Sequence, residues 1–190
     1  MTRLAIVSPH IMNILRSSLT FVLTTLLAAA ALAAEDSKTP KVGDKAPAVT
    51  GKDQEGKTWK LSDRAGKKIV LLYFYPKDET PGCTKEACGL RDRMEDLKKD
   101  NVEVVGVSFD SAESHQKFIA THQLNFTLLA DTDGKIADAY GVRREPGKNM
   151  ARRASFLIDQ HGKIVHVTDT PSADTHLAEM KEAVSKVAKR

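Results

Sequence analysis

Residues 69–88 read IVLLYFYPKDETPGCTKEAC and predict a strand, a loop and the start of a helix in direct succession. The first seven residues form a continuous apolar run, which is typical of a central strand buried on both faces. Residues 76–82 form the predicted loop, and from Thr84 to Asp100 the apolar residues recur at helical spacing. Both cysteines of the chain, Cys83 and Cys88, lie where the loop meets the helix.

Predicted strands and helices alternate on either side of this stretch. Hairpins are expected at residues 49–61 and 154–167, further strands at 102–108 and 126–130, and helices at 111–122, 135–140 and 175–188. This order predicts an α/β domain with a mixed central sheet flanked by helices and with an N-terminal β-hairpin. The apolar stripe of the last helix is expected to face the core before it serves a dimer interface.

The N-terminal 34 residues have the composition of a secretory signal peptide. They contain Arg3 and Arg16, no acidic residue, and a short apolar run that ends in small residues. The run is short for a bilayer span, which disfavours a membrane anchor. We therefore expect a cleaved signal peptide at residues 1–34, a polar linker at 35–43 and one domain at 44–190. The protein is expected to be exported, to a periplasm.

The charge balance excludes a nucleic-acid-binding class. The chain has 29 basic and 25 acidic residues and a formal net charge of +4, but two of the arginines belong to the predicted signal peptide. The remaining charges are nearly balanced and interspersed, so no basic patch for nucleic acid is expected. After the N-terminal segment, no apolar stretch is long enough to cross a membrane.

Cys83 lies at the predicted start of a helix, where free N–H groups and the helix dipole favour negative charge. A cysteine at such a position is expected to be present as a thiolate at neutral pH. Thr80 lies three residues earlier and can turn its hydroxyl toward the sulfur or toward a substrate oxygen, although it can equally bond local backbone. Arg153 is the candidate for neutralising the thiolate, with Arg152 and Arg143 as alternatives.

The spacing of Cys83 and Cys88 argues against a permanent disulfide. In an intact α-helix their Cα atoms would lie about 8 to 9 Å apart, whereas a disulfide needs roughly 4.4 to 6.8 Å. Either the start of the helix unwinds or the bond does not form. This suits a redox switch better than a structural crosslink. The spacing also differs from the Cys-x-x-Cys of dithiol reductases and isomerases.

The stretch Pro76-x-x-x-Thr80-x-x-Cys83 resembles the active-site signature of the peroxiredoxins, and Cys88 resembles the second cysteine of the PrxQ branch, also called bacterioferritin comigratory protein. Further matching segments are Gly106-Val107-Ser108, Leu128-Leu129-Ala130-Asp131, Tyr140-Gly141-Val142 and Arg153-x-Ser155-Phe156-Leu157-Ile158-Asp159. The resemblance extends from about residue 42 to the end of the chain. It implies a thioredoxin-like fold and an antioxidant peroxidase.

The resemblance also implies roles for individual residues. Cys83 would be the peroxidatic nucleophile, and Cys88 the resolving thiol that forms the redox disulfide Cys83–Cys88. Thr80, Arg153 and the N–H of Cys83 would hold the peroxide, and Pro76 would shield the site. Hydrogen peroxide and organic hydroperoxides would be the substrates, a thioredoxin-like protein the reductant, and no metal, haem or flavin would be required. The chain would be a monomer or a weak homodimer.

Two other functions remain open from the residues alone. One is an exported thiol–disulfide oxidoreductase, and the other is a binding protein in which the two cysteines form a permanent crosslink. Glu86 is interpreted as a helix carboxylate near the positive end of the helix dipole. The histidines that follow the predicted signal peptide show no metal-ligand spacing and are expected on the solvated surface: His115, His122, His161, His166 and His176.

Overall fold

The computed structural model describes residues 39–188, which form a seven-stranded mixed sheet with helices on both faces. The predicted signal peptide and residues 35–38 of the predicted linker lie outside the described residues. The strands are β1 (Thr50–Asp53), β2 (Thr58–Lys60), β3 (Ile69–Phe74), β4 (Val102–Ser108), β5 (Thr127–Ala130), β6 (Ala154–Ile158) and β7 (Ile164–Asp169). The helices are α1 (Pro81–Arg91), α2 (Met94–Lys99), α3 (Ala112–His122), α4 (Lys135–Ala139) and α5 (Ala173–Ala188), and Leu61–Arg64 form a 3-10 helix.

The strands are ordered β2-β1-β5-β4-β3-β6-β7 across the sheet. β3, β4 and β5 run parallel, while the hairpin β1–β2 and the pair β6–β7 join antiparallel on either side. Because β3 and β4 are parallel, the loops that follow them meet at one edge of the sheet. β6 runs antiparallel to β3 with Phe74 opposite Ala154, so Arg153 enters the fold beside the end of β3.

The side chains of β3 alternate between two hydrophobic clusters, as a strand buried on both faces requires. Val70, Leu72 and Phe74 pack on the face that also carries α4 and the N-terminal hairpin. Leu71 and Tyr73 pack on the opposite face, against α1, α2, α3 and α5. The apolar side of α5 closes this second cluster, which confirms that this side faces the core.

The predicted elements are confirmed with small shifts at their ends, except in one place. The predicted single helix over residues 84–100 is wrong, because the chain breaks it into α1 and α2. Asp92 and Arg93 separate the two helices, and Arg93 leaves helical geometry with φ −111° and ψ 3°. Within residues 39–188, no helix is both long and apolar enough to cross a membrane.

Candidate active site

The candidate site lies where the loop after β3 enters α1. Helix α1 begins with Pro81 at its first position and Thr80 as N-cap, so Cys83 occupies its first turn, as expected. No side chain caps the helix at Thr80, which leaves N–H groups of the first turn for other acceptors. The side chain of Cys83 is buried, with 2% of its residue surface exposed.

Arg153 is the cation at the sulfur. Its Nη2 donates a hydrogen bond to the Sγ of Cys83 at 3.4 Å, and its Nε donates to the carbonyl of Pro171 at 3.3 Å. A buried guanidinium in this place stabilises negative charge on the sulfur. The two alternatives considered from the sequence are engaged elsewhere, because Arg143 pairs with Asp138 and Arg152 pairs with Asp169.

Gly82 makes room for this arginine. A Cβ at Gly82 would lie 3.3 Å from the Nη2 of Arg153 and 3.8 Å from the Cβ of Ala173. The guanidinium can therefore lie close against the backbone of the first turn. A side chain at this position would crowd the guanidinium, whereas the φ angle of Gly82 does not itself require glycine.

Glu86 is buried beside the arginine and is more than a carboxylate at a helix end. It lies outside the first turn of α1 and is fully buried, and its Oε2 accepts a hydrogen bond from the Nη1 of Arg153. Burial raises the pKa of Glu86 to about 7, although Arg153 lowers it. Its other oxygen, Oε1, has no hydrogen-bond partner among the described residues.

His176 approaches that free oxygen from α5. Its Nε2 lies 3.7 Å from Oε1 of Glu86 and 2.8 Å from Oγ of Ser155, and its Nδ1 lies 3.4 Å from the carbonyl of Thr170. The ring is fully buried, and this burial lowers the pKa of His176 to about 4. The expectation of a surface histidine is therefore wrong here, because α5 turns this residue toward α1.

The other end of the loop is held by a second buried acid. Both oxygens of Asp78 are bonded, Oδ1 by the hydroxyl of Tyr75 at 2.7 Å and Oδ2 by Ser114 at 2.7 Å and by His115 Nδ1 at 2.9 Å. Burial alone would raise the pKa of Asp78, but His115, Tyr75 and Ser114 hold it below its usual value.

His115 is fully buried as well, so its expected surface position is also wrong. Its Nε2 lies 3.2 Å from the carbonyl oxygen of Leu129, and its Nδ1 faces Asp78. Both ring nitrogens therefore lie within hydrogen-bond distance of an oxygen, which fixes the orientation of the ring. The pair ties the loop after β3 to α3.

The remaining predicted site residues lie close by with fewer contacts. Thr80 donates its hydroxyl to the carbonyl of Lys77 at 3.0 Å and is partly buried, so in this structure it bonds local backbone. Pro76 is partly buried directly after β3. Cys88 is partly buried on the same helix as Cys83, and both cysteines are free thiols.

The structure thus brings together Cys83 and Arg153, and it adds Glu86 and His176, to which the sequence reasoning gave no role at the sulfur. A signal for Glu86 was available: it follows Cys83 by three residues, a spacing that places both on one face of a helix. No local pattern marks His176. Within the described residues, no group of three or more His, Cys, Asp or Glu side chains is arranged to hold a metal ion.

Comparison with known proteins identifies relatives that cover most of the chain. Residues 42–167 match the model of the AhpC/TSA family. The chain is 47% identical over 141 residues to peroxiredoxin Bcp of Escherichia coli K12, which covers 72% of this chain and 90% of that protein.

Solved structures match as well. The peroxidoxin BcpB of Mycobacterium tuberculosis superimposes with a TM-score of 0.72 at 33% identity, over 77% of this chain and 97% of the other. The Xanthomonas campestris bacterioferritin comigratory protein, solved as trapped intermediate and ligand complexes in a study of its alkyl peroxide reduction activity, matches with a TM-score of 0.67 at 28% identity, over 74% and 92% of the two chains. The expected thioredoxin-like fold is thereby confirmed.

Proposed function

The chain belongs to the AhpC/TSA family of peroxiredoxins and is a thiol-dependent peroxidase, and we propose that Cys83 is the cysteine that attacks the peroxide. The observation that carries this assignment is the hydrogen bond from the buried Arg153 guanidinium to the Cys83 sulfur at 3.4 Å. It gives the sulfur a fixed positive partner in a site from which most water is excluded.

The first chemical step follows from this geometry. The Cys83 thiolate attacks one peroxide oxygen, a sulfur–oxygen bond forms, the oxygen–oxygen bond breaks, and water or an alcohol leaves. Arg153 lies where negative charge moves from sulfur to the departing oxygen, and a preorganised donor at that place lowers the barrier. Thr80 would join it by turning its hydroxyl from the Lys77 carbonyl to the peroxide, and half-buried Pro76 would limit the access of water.

Cys88 is the proposed resolving thiol. It lies five residues after Cys83 on α1, too far for a bond while the helix is intact. Formation of the Cys83–Cys88 disulfide therefore requires the first turns of α1 to unwind. Unwinding would break the contact of Glu86 with Arg153 and the ion pair of Lys85 with Asp174, whose atoms lie 2.6 Å apart.

The C-terminal half of α1 packs closely against α5. A Cβ on Gly89 would lie 2.3 Å from Cδ2 of Leu177, so the helix backbone lies directly against α5 at this point. Unwinding that stops before Gly89 frees both cysteines and leaves this contact intact. The resulting disulfide would be exposed to an external dithiol, for which a thioredoxin-type protein is the proposed reductant.

Location and assembly are inferences from the sequence and the surface. The composition of residues 1–34 supports export to a periplasm through a cleaved signal peptide. A monomer or weak homodimer is supported by the surface, because Val42 is the one large hydrophobic side chain that is exposed among residues 39–188. Fractionation of cells and sedimentation of the purified protein test these two points.

Two cysteine variants test the roles directly, with peroxide consumption in the presence of a dithiol as the assay. Cys83→Ser is expected to abolish consumption. Cys88→Ser is expected to react once and then to accumulate sulfenic acid, which intact mass detects as one added oxygen. Full turnover in Cys88→Ser would reject the resolving role, and reaction of Cys83→Ser with peroxide would reject the assignment of the nucleophile.

A further inference from the structure

Glu86, Arg153 and His176 form a buried cluster of ionisable groups behind the Cys83 sulfur. The groups that face Glu86 come from four elements: Cys83 from α1, Arg153 from the start of β6, His176 from α5 and Tyr73 from β3. Their burial ranges from complete at Glu86 and His176 to 7% exposed at Arg153. Charges in such a place interact strongly, because little water screens them.

The bonding of His176 determines what it offers to Glu86. A backbone carbonyl can only accept, so the proton of the neutral ring lies on Nδ1, which faces the carbonyl of Thr170. Nε2 is then an acceptor, and the Ser155 hydroxyl donates to it at 2.8 Å. Nε2 also lies 3.7 Å from Oε1 of Glu86 and has no proton to donate to it.

Oε1 of Glu86 is therefore poorly placed for an ionised carboxylate. It receives no hydrogen bond from any described residue, and Nε2 of His176, 3.7 Å away, carries no proton in this tautomer. An unpartnered buried charge is costly, whereas a protonated Oε1 could direct its O–H toward Nε2. The raised pKa of Glu86, about 7 through burial, agrees with this geometry.

Charge balance links this proton to the sulfur. Arg153 contacts both Cys83 and Glu86. While Cys83 is a thiolate, one guanidinium faces two acidic groups, and a neutral Glu86 leaves one positive and one negative charge. When Cys83 becomes an uncharged sulfenic acid, an ionised Glu86 restores the same balance.

We propose that Glu86 holds a proton while Cys83 is a thiolate and releases it when peroxide removes the charge of that sulfur, so that the buried cluster keeps a constant net charge. His176 is a positioning residue in this scheme, because it offers Oε1 an acceptor and no donor. The inference rests on the proposed role of Cys83 as the nucleophile.

The steps balance. A hydroperoxide, the Cys83 thiolate and the Glu86 carboxylic acid give the Cys83 sulfenic acid, an alcohol and the Glu86 carboxylate. The peroxide gains two electrons as its O–O bond breaks, the sulfur loses two as its S–O bond forms, and the departing oxygen ends with the proton. After Cys88 condenses with the sulfenic acid and water leaves, a dithiol reduces the disulfide. One of its two protons goes to Cys88 and the other to Glu86.

The coupling is measured by carbon NMR of the glutamate side-chain carboxyls during a pH titration, with the Glu86 signal identified by its absence in Glu86→Gln. In the reduced protein this signal is expected to titrate near neutral pH or above. In Cys83→Ser, which cannot carry the negative charge, the midpoint is expected to fall by at least about one pH unit. The signal of Glu182, an exposed residue of α5, is the internal control and should not move. Equal Glu86 midpoints in the two proteins would overturn the proposal.

A second experiment leaves the sulfur in place. Reduced Cys88→Ser is mixed with one equivalent of hydrogen peroxide at neutral pH, and intact mass and the Glu86 signal are followed together. A gain of one oxygen with a shift of Glu86 to the carboxylate form supports the proposal. A gain of one oxygen with an unchanged signal overturns the proton role alone, whereas no gain of oxygen overturns the peroxidase assignment and this inference together.

Discussion

Asp78 and Glu86 are both buried carboxylates that flank Cys83, and each lies near a buried histidine, but their surroundings differ. Both oxygens of Asp78 receive hydrogen bonds, and the pKa of this acid is held below its usual value. One oxygen of Glu86 has no hydrogen-bond partner within residues 39–188, and burial raises the pKa of Glu86 to about 7. The first acid is bonded like a structural anchor, whereas the second is free to change its charge.

The two histidines explain the difference. His115 faces acceptors with both nitrogens and can therefore donate to Asp78. His176 donates to a carbonyl on one side and accepts from Ser155 on the other, so it has no proton left for Glu86. The same pair of residue types, an acid and a histidine, thus has two different effects. Asp78 and His115 fix one end of the loop after β3, whereas Glu86, near the sulfur, is able to change its protonation state.

Removal of the anchor should have the largest effect on stability. Asp78→Ala leaves His115 buried without its carboxylate and frees the loop, so the free energy of unfolding should fall by about 3 to 5 kcal/mol. Urea unfolding of the reduced protein measures this. Glu179→Ala, which removes an exposed carboxylate of α5, is the control and should change stability by less than about 0.5 kcal/mol. A loss no larger than in the control would show that Asp78 anchors nothing.

Loss of the arginine geometry should affect chemistry more than folding. Arg153→Lys keeps the charge but cannot contact Cys83 and Glu86 in a planar fork. The rate constant for reaction with hydrogen peroxide should fall by about 10² to 10³. Arg152→Lys is the matched control, because the neighbouring arginine pairs with Asp169 and should leave the rate near the wild-type value. Wild-type rates in Arg153→Lys would remove Arg153 from the mechanism.

The pH dependence of stability should separate the two acids. The folded-state pKa of Glu86, about 7, lies above the ordinary value of 4.5. The contribution of Glu86 to the free energy of unfolding is therefore full below about pH 4.5 and is lost as pH rises through 7. The folded-state pKa of His176, about 4, lies below 6.5, so its contribution is present above 6.5 and is lost as pH falls toward 4. Each shift corresponds to a change on the order of 3 kcal/mol.

These two contributions have opposite slopes and partly cancel in the wild-type protein between about pH 4.5 and 6.5. Relative to wild type, Glu86→Gln should become more stable as pH rises, and His176→Gln should become more stable as pH falls. Asp78→Asn should show neither trend in this window, because the pKa of Asp78 lies below it. Unfolding free energies of wild type and the three variants are measured in urea from pH 4.5 to 7.5. Curves of stability against pH that run parallel for all four proteins would refute the opposite pH dependences of Glu86 and His176.

The smallest effect is expected at Gly82. The methyl group of Gly82→Ala would lie 3.3 Å from Nη2 of Arg153, so the guanidinium must move by a few tenths of an ångström. A displacement of this size should slow the reaction with peroxide by roughly tenfold or less and should leave the Asp78 anchor intact. Stopped-flow measurement of hydrogen peroxide consumption by the reduced protein gives this rate, and a rate equal to that of wild type would show that the contact has no influence.

Local sequence patterns were enough to predict most of the strands and helices and the place of Cys83, and they made Arg153 the candidate for its cation, with Arg152 and Arg143 as alternatives. They failed where tertiary packing decides. The break between α1 and α2 at Asp92 and Arg93 has no glycine or proline to mark it. His176 lies in a helix whose neighbours along the chain are largely polar, and its burial depends on how α5 lies against α1.

The contact of Glu86 with Arg153 escapes prediction for a different reason. Glu86 was interpreted from its distance to the helix start alone, although its spacing from Cys83 places both on the buried side of α1. What no pattern reveals is the free oxygen of Glu86, because this depends on which nitrogen of His176 carries the proton. The protonation of His176 in turn depends on contacts among α1, β6 and the start of α5, which are far apart in sequence.

The most direct test of the account is a stoichiometric titration of the reduced protein with hydrogen peroxide, read by intact mass and free-thiol count. Both thiols and two hydrogens should be lost rapidly at one peroxide per chain, which is the signature of an intramolecular Cys83–Cys88 disulfide. Thiols that survive, or that oxidise no faster than free cysteine, would contradict it and would favour disulfide exchange or a structural role for the two cysteines.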